Sequence, residues 1–349
     1  MHNLRLSAFE TTLLRMPDEQ IIRIISFWGL ADIVACDSAS VVWNADRFFA
    51  GWFKDHPISF RRVLGECGGI VSGSQVTQFF DRSRYHDSDM DIFMHIGGIT
   101  HMGDWLQTQG YSYSSMATEY DALKPDVLRL SCRMLIERNS TDETIKGVFN
   151  YIRYIPSTTT AFIQKIQLIV VDISPIDHII FDFHSSAMIN YMTESEIVCV
   201  FPIPTLILHK SYVVRSRTES LSRTVTWKTK YHERGFQIIR KRTKGVHSDL
   251  VLGKRSSSDG RAWCMKLQEP EIKNTVYERK PGNVKFEILS WRSGVTLKDS
   301  FARIAEPGIW RRVYLSMKSF RLPDGIKTDC DPRQSRNTQA SCSPRAMTH

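Results

Sequence analysis

The segment from Gly73 to Phe93 constrains the fold more than any other part of the sequence, because it places two aspartates inside an apolar run. Successive side chains of a β-strand point to opposite faces, so Asp89 and Asp91 would share one face while Met90 and Ile92 enter the core. Two carboxylates about 7 Å apart on one strand face repel each other unless a cation lies between them. A carboxylate pair is also how proteins hold Mg²⁺ beside substrate phosphates, so the pattern predicts a metal site.

The start of the same segment has the pattern of a phosphate site. The letters GGIVSGS read as a short apolar strand that breaks at Gly73 and Ser74 into a helix. Backbone N–H groups at a helix N-terminus carry partial positive charge, and a serine there adds a hydroxyl donor. Gly73 and Ser74 are therefore predicted to bind the phosphates of a nucleoside triphosphate (NTP), with Asp89 and Asp91 holding the metal ion. The alternative is an exposed edge strand that carries two solvated acids.

The composition is that of an ordinary globular protein, with 42% hydrophobic and 24% charged residues in a chain of 349. No apolar run reaches the roughly 18 residues of a membrane-spanning helix, and the N-terminus lacks the apolar core of a signal peptide. The seven cysteines are scattered singly, which is typical of reduced thiols rather than disulfides or zinc ligands. We therefore expect no membrane partner and a location in the cytoplasm or nucleus.

The positive charge is concentrated in residues 210–261, which hold fourteen Lys and Arg residues against four acids. Such a segment can bind the phosphates of a nucleic acid. Within it, the run RKRTK from Arg240 to Lys244 has the form of a nuclear-import patch. The common alternative is that these charges form solvated faces and loops.

Periodicity and composition divide the chain into four parts. Residues 10–55 show short helical patterns, and residues 60–225 alternate between strands and helices, which indicates an α/β or α+β domain. Residues 226–322 are predicted to form a basic, β-rich extension of short strands, and residues 323–349 a disordered tail. The strand candidates in the domain are 68–73, 89–95, 147–155, 164–172 and 197–209, and the helix candidates are 75–81, 100–109 and 176–192.

The first helical part has a distinctive sequence pattern. The letters MPDEQIIRIISFWGLADIVACDSASVVWNA contain a Met-Pro-Asp-Glu opening, an isoleucine-rich helix face and a turn into the next helix. This pattern resembles an F-box motif. Three helices of this size bury too little apolar surface to be stable alone, so the apolar face must pack on something. The resemblance implies docking on the Skp1-type adaptor of a cullin ubiquitin ligase, and the alternative is packing on the following domain. The predicted partner-binding residues are Pro17, Ile21, Ile22, Ile25, Leu30 and Trp43.

The strand, the Gly-Ser helix start and the Asp-x-Asp strand together resemble the nucleotidyltransferase fold of the DNA polymerase β superfamily. The resemblance implies an α+β domain with a mixed sheet flanked by helices, an NTP with Mg²⁺ at Asp89 and Asp91, and a third catalytic carboxylate on the second arm of the hairpin 149–171. The mid-strand position there is Gln167, and a glutamine supplies neither charge nor a proton acceptor. Asp172 stands at the strand end, where a turn-capping role is the alternative.

Two functions remain open. The order of F-box-like helices followed by SGS, SDMDIF and IQLIVV is also similar to an expanded group of fungal proteins, over residues 13–240. In the first function, the protein is an F-box-type adaptor of a Skp1–cullin ubiquitin ligase whose nucleotidyltransferase-like domain recognises the target. In the second, it is an active metal-dependent nucleotidyltransferase that moves a nucleotidyl group from an NTP to a hydroxyl acceptor held by the basic segment.

The F-box pattern predicts that the full-length protein retains a Skp1-type adaptor in a pull-down, and that Leu30→Ala combined with Pro17→Ala loses most of it. Truncating a buried interface anchor typically costs about 1 kcal/mol or more, so the double change should weaken binding at least about tenfold. Equal recovery of the adaptor by the wild type and the double variant would contradict the F-box interpretation.

Overall fold

The computed structural model describes residues 43–85, 88–114, 123–136, 144–156, 162–214, 221–239, 253–272, 284–291 and 311–316. The helices are α1 (Ala45–Phe53), α2 (Pro57–Glu66), α3 (Ser74–Asp81), α4 (Ile99–Thr108), α5 (Leu123–Ile136), α6 (Pro175–Asp182) and α7 (Leu221–Glu233). The strands are β1 (Ile70–Ser72), β2 (Met90–Met94), β3 (Ser112–Ser114), β4 (Ile145–Ile155), β5 (Phe162–Val171), β6 (Asn190–Met192), β7 (Glu196–Cys199), β8 (Lys210–Tyr212), β9 (Gln237–Ile239), β10 (Gly253–Ser256), β11 (Trp263–Lys266), β12 (Lys285–Trp291) and β13 (Arg311–Ser316).

These strands form one large sheet and two small ones. The large sheet has the order β11-β7-β6-β1-β2-β5-β4-β3, and within the described residues β2 and β5 form its one parallel pair. The small sheets are β10-β12-β13 and β8-β9. The fold is therefore α+β, with a mixed sheet and helices beside it, and the fold class predicted from the sequence is confirmed. None of the described helices is both long enough and apolar enough to cross a bilayer.

The segment predicted to be a separate extension, residues 226–322, supplies an edge strand of the large sheet. Strand β11 pairs antiparallel with β7, and Trp263 lies opposite Cys199. The Trp263 ring packs edge-on against Trp43, with 4.9 Å between the ring centroids. Helix α7 also crosses the predicted boundary at residue 225. Residues on both sides of that boundary therefore contribute to one packed unit.

Strand β2 alternates between two apolar layers, as its sequence predicts. Met90, Ile92 and Met94 are fully buried in the larger core, which also contains side chains of α1 to α4. Phe93 packs on the opposite face of the sheet. Asp91 shares that opposite face with Phe93 because the two residues have the same parity along the strand.

Local chemistry explains where several helices begin. Asn44 caps α1 by accepting a hydrogen bond from the backbone N–H of Arg47 at 2.8 Å. Pro57 and Pro175 begin α2 and α6, where the missing N–H would have no helical acceptor in any case. These starts orient the helices that pack on the two faces of the sheet.

The strand predicted for residues 197–209 is shorter than its apolar pattern indicated. Strand β7 ends at Cys199, and a π-helical turn follows at Ile203–Ile207. Pro202 and Pro204 have no backbone N–H to donate to a neighbouring strand, so the ladder cannot continue through them.

The helix predicted for residues 176–192 is also shorter. Helix α6 ends at Asp182, because Phe183 already has extended backbone with φ of −71° and ψ of 143°. The remaining residues form a 3₁₀ turn and strand β6 instead. The apolar periodicity of this stretch therefore comes from helix α6 and strand β6 together, which pack on the same core.

Trp43, one of the predicted partner-binding residues, lies in the core of the domain. Its side chain is 5% exposed, and its indole N–H donates to the carbonyl of Phe80 at 3.1 Å. The other predicted partner-binding residues and the predicted tail 323–349 lie outside the described residues. Those other residues are Pro17, Ile21, Ile22, Ile25 and Leu30.

Arg61 of α2 joins parts of the chain that are distant in sequence. This side chain is 3% exposed. It donates to the Glu194 carbonyl at 3.0 Å, to Asp46 Oδ1 at 2.9 Å and to the Gln268 carbonyl. Glu194 precedes β7 and Gln268 follows β11, so one buried cation ties α2 to the end of the large sheet.

Replacing Arg61 with Met should destabilise the fold strongly, because it leaves one buried and two partly buried acceptors without their donor, and an unpaired buried acceptor costs about 1–3 kcal/mol. Urea denaturation should show that Arg61→Met lowers the free energy of unfolding by about 3 kcal/mol or more. The neighbouring Arg62→Met is the control and should change it by less than about 0.5 kcal/mol. Similar small losses in both variants would contradict the structural role of Arg61.

Candidate functional site

Four polar side chains lie in one row across the centre of the large sheet. Ser72 of β1 is opposite Asp91 of β2, Asp91 is opposite Gln167 of β5, and Gln167 is opposite Asn150 of β4. Side chains at one register position on neighbouring strands project from the same face and lie close together. The row therefore brings together side chains from four neighbouring strands, with Asp91 near its middle.

Gly73 lies against Asp91 at the point where β1 turns into α3. Its φ is +76°, a backbone conformation that favours glycine. A Cβ atom at this position would lie 2.9 Å from Asp91 Oδ2. Glycine is therefore required both by the turn and by the close approach of the carboxylate, and the predicted phosphate and metal residues are neighbours.

Ser74, the second predicted phosphate residue, is held by the loop that precedes β2. Its hydroxyl is hydrogen-bonded to the hydroxyl of Ser88. Gln75 donates to the Ser88 carbonyl at 2.9 Å, and Gln78 donates to the Ser88 hydroxyl at 3.0 Å. The first turn of α3 thereby fixes the backbone just before Asp89.

Asp89 is paired with a lysine rather than left to repel Asp91. Lys165 Nζ lies 3.1 Å from Asp89 Oδ2, and the Asp89 side chain is 36% exposed. With its amide turned, Gln167 donates to Asp91 Oδ1 at 3.1 Å and accepts from Lys165 Nζ at 3.2 Å, and the Asn150 amide 2.8 Å away then donates to Gln167. Lys165 and Gln167 therefore connect the two aspartates through one hydrogen-bonded chain.

The environment of Asp91 raises its pKa from 3.8 to about 7. Burial is the largest cause, because it disfavours the charged carboxylate, and the negative charge of Asp89 adds to it. Lys230 and Lys165 oppose the shift. Near neutral pH this carboxyl group is therefore present in both protonated and ionised forms, whereas an exposed aspartate would stay ionised.

Asp172, the other candidate for a third carboxylate, lies away from this row. It follows the last residue of β5 and has the opposite parity from Gln167, so it does not share the face of Asp91. Asp172 Oδ2 is instead 3.2 Å from Lys146 Nζ. The residue opposite Asp91 on β5 is Gln167.

The donor set does not fit the two-ion Mg²⁺ centre that the nucleotidyltransferase resemblance implies. Magnesium ions prefer carboxylate oxygens, and the row contributes one carboxylate, Asp91, with Asp89 beside it already paired with Lys165. The described residues contain no group of three or more His, Cys, Asp or Glu side chains arranged to hold a metal ion. One ion at Asp89 and Asp91, which would have to displace Lys165, stays a prediction.

Helix α7 brings further charged groups close to Asp91. Lys230 is near enough to lower the pKa of Asp91, and the buried Tyr231 interacts with the Asp91 charge. The Arg234 guanidinium lies 4.1 Å above the Tyr85 ring, which connects the end of α7 to the loop before β2. The sequence indicated short strands here, so Lys230 was missed as a site residue.

His184 lies beside this helix and serves a packing role. Its ring stacks on Trp227 with 4.2 Å between centroids and an interplanar angle of 11°. Burial is the largest cause that lowers the His184 pKa to about 3, and Lys230 and Lys228 lower it further. This histidine is therefore neutral at physiological pH and fills the space under α7.

In the described part of the predicted nucleic-acid segment, residues 210–261, some charged side chains are buried in the fold and others lie at the surface. Arg255 is 4% exposed, donates to the Val200 carbonyl at 3.1 Å and pairs with Asp259. Its charge is therefore used inside the fold. The RKRTK run lies outside the described residues, and binding of nucleic acid stays a prediction.

The fold and site together define an α+β protein with a polar row across a mixed sheet. Comparison with protein-family models, curated proteins and solved structures finds no match to this chain. The functional interpretation therefore rests on the geometry of the site and on the sequence patterns.

The raised pKa of Asp91 gives a pH-dependent stability. Because its folded pKa is about 7 and its ordinary value is 3.8, the folded state loses stability as the pH rises through this interval. Asp91→Asn has no charge to bury, so its stability advantage over the wild type should grow by on the order of 2–3 kcal/mol between about pH 5 and pH 8.

Urea denaturation at several pH values measures this difference, with the exposed Asp55→Asn as the control. The control should show no change in its gap to the wild type across the range. A constant gap for Asp91→Asn as well would contradict the raised pKa.

Proposed function

We propose that the described domain recognises a ligand without nucleotidyl-transfer activity, and that the whole chain acts as an F-box-type adaptor of a Skp1–cullin ubiquitin ligase. The observation that supports the first part most directly is the pairing of Asp91 with Gln167 across β2 and β5. Gln167 occupies the mid-strand position where the nucleotidyltransferase resemblance implies a third carboxylate. The second part rests on the F-box-like sequence pattern of residues 16–43.

The chemistry of the row favours binding over turnover. Displacement at phosphorus needs an activated hydroxyl and two neutralised oxygens, which two-metal sites provide with ions about 3.5–4 Å apart. Gln167 contributes no charge, and Lys165 already neutralises Asp89. Losing a general base or its metal ion typically costs about 10²-fold to 10⁴-fold in rate, whereas contacts to the ligand can persist.

The surroundings of the row contain groups that favour a phosphate-bearing ligand such as an NTP. The backbone N–H groups at the start of α3 lie beside Gly73 and carry the positive end of the helix dipole. Lys165 from β5 and Lys230 from α7 add positive charge from two further directions. In the proposed function, these groups bind the phosphates of the ligand. Either the domain with its bound ligand then recognises the target, or the target itself carries the phosphates.

The second candidate is an active metal-dependent nucleotidyltransferase, and the pKa of Asp91 favours it. A carboxylate with a pKa of about 7 can accept a proton from a hydroxyl at neutral pH. The basic segment 210–261 would then contact the acceptor. We rank this candidate second because one general base is not enough for the reaction. The negative charge that develops in the transition state would still lack a second metal ion to neutralise it.

A transfer assay separates the two candidates. Full-length protein is incubated with each labelled NTP, with Mg²⁺ or Mn²⁺, and with RNA, DNA or protein acceptors. The wild type should show no transfer, while millimolar NTP should raise its melting temperature through ligand linkage, and Lys165→Ala should reduce that rise. Gln167→Asp introduces a third carboxylate. Gln167→Asn is the uncharged control, because asparagine has the same size as aspartate.

Activity gained in Gln167→Asp but absent in Gln167→Asn would support the proposal. Robust transfer by the wild type that disappears in Asp91→Ala would overturn it in favour of the second candidate. An unchanged melting temperature with every NTP would contradict phosphate recognition at this site.

A further inference from the structure

A cavity lies beside the candidate site, between α1, α3 and the first residues of β5. Its volume is about 470 Å³, which is within the usual range of ligand pockets. The described residues that line it do not include the predicted phosphate residues Gly73 and Ser74 or the aspartates Asp89 and Asp91. The cavity is therefore a separate feature of the surface with its own chemistry.

The charge of this cavity is positive on one side. Arg47 from α1 and Arg82 and Arg84 from the loop after α3 line it, and none of its described lining residues is acidic. Arg47 and Arg84 are exposed, so their guanidinium groups can turn towards a bound molecule. Arginine forms paired hydrogen bonds with carboxylates, so this wall is complementary to acidic side chains.

The opposite wall is apolar and partly open. Trp52 and Phe79 form a buried floor. Phe162 and Ile163, at the start of β5, form a lip and are 52% and 57% exposed. Tyr154 lies opposite Ile163 across the β4–β5 hairpin and is 66% exposed. Contiguous exposed apolar side chains beside a cavity are typical of interaction sites.

The side-chain amides in the cavity are already used inside the protein. Gln75 and Gln78 both donate to Ser88. Gln164 donates to the Gly51 carbonyl at 2.9 Å and accepts from Arg153 at 2.7 Å. Recognition therefore falls to the arginines and to the apolar floor and lip.

We propose that this cavity binds an acidic peptide segment of a partner protein, with a bulky apolar side chain as its anchor. The anchor enters between Trp52 and Phe79, and the flanking acidic residues pair with the arginine wall. A peptide fits better than a small molecule because the exposed apolar surface continues beyond the cavity to Tyr154. This inference goes beyond the proposed function and does not depend on the Asp91 site.

Fluorescence anisotropy with labelled peptides and full-length protein tests the proposal. The probe is the peptide EEDFDEE, with EEDGDEE lacking the anchor and KKRFRKK reversing the charge. The wild type should bind EEDFDEE at least about tenfold more tightly than either comparison peptide. Arg47→Glu combined with Arg84→Glu should weaken that binding by at least about tenfold, and Phe162→Ser should also weaken it.

The matched control is Lys124→Glu combined with Arg261→Glu, which removes the same charge at exposed positions outside the cavity. Its affinity for EEDFDEE should stay within about twofold of the wild type. Equal losses in the control and the arginine variant, or no binding by the wild type, would overturn the proposal. Displacement of the peptide by 3-phenylpropionate at similar concentration would overturn it in favour of a small anionic ligand.

Discussion

The parallel pairing of β2 with β5 is the contact on which the whole candidate site depends. It places Gln167 opposite Asp91 and brings Lys165 within 3.1 Å of Asp89. A shift of one residue in this register would turn the opposite face of β5 towards the aspartates and bury Lys165 and Gln167 in the core. The apolar residues Ile166 and Leu168, both fully buried, prevent that shift.

The same pairing explains how two like charges are tolerated on one strand face. Lys165 balances Asp89, and Asp91 responds to burial by binding a proton more tightly. A neutral, hydrogen-bonded amide stands between them, so no third negative charge is added to the site. The two carboxylates are therefore tolerated without a bound cation.

Sequence patterns predicted the parts of this arrangement that depend on local periodicity. The alternation of Met90 to Met94 identified the buried face of β2, and the glycine at residue 73 identified the turn into α3, because both signals lie within a few residues. The mid-strand place of Gln167 on the second arm of the hairpin was also predicted, but the register that sets it opposite Asp91 was not. Ion pairing by Lys165 could not be predicted either, because it requires knowledge of which side chains meet across a parallel pair.

Helix α7 was missed for a different reason. Its sequence LSRTVTWKTKYHE is rich in threonine and aromatic residues, which favour strands in isolation. Trp227 and Tyr231, four residues apart, are both buried against the domain, and this packing outweighs the local preference. The buried Trp263 likewise draws the segment after residue 225 into the sheet, where charge and composition had indicated a separate extension.

If the site lacks the donors for two metal ions, the number of ions that it binds should show this. Electron paramagnetic resonance can measure how many Mn²⁺ ions full-length protein binds in the presence of a non-hydrolysable NTP. We predict at most one ion per chain in the wild type and an additional ion in Gln167→Asp. Two ions bound per wild-type chain, with one lost on Asp91→Asn, would contradict this prediction.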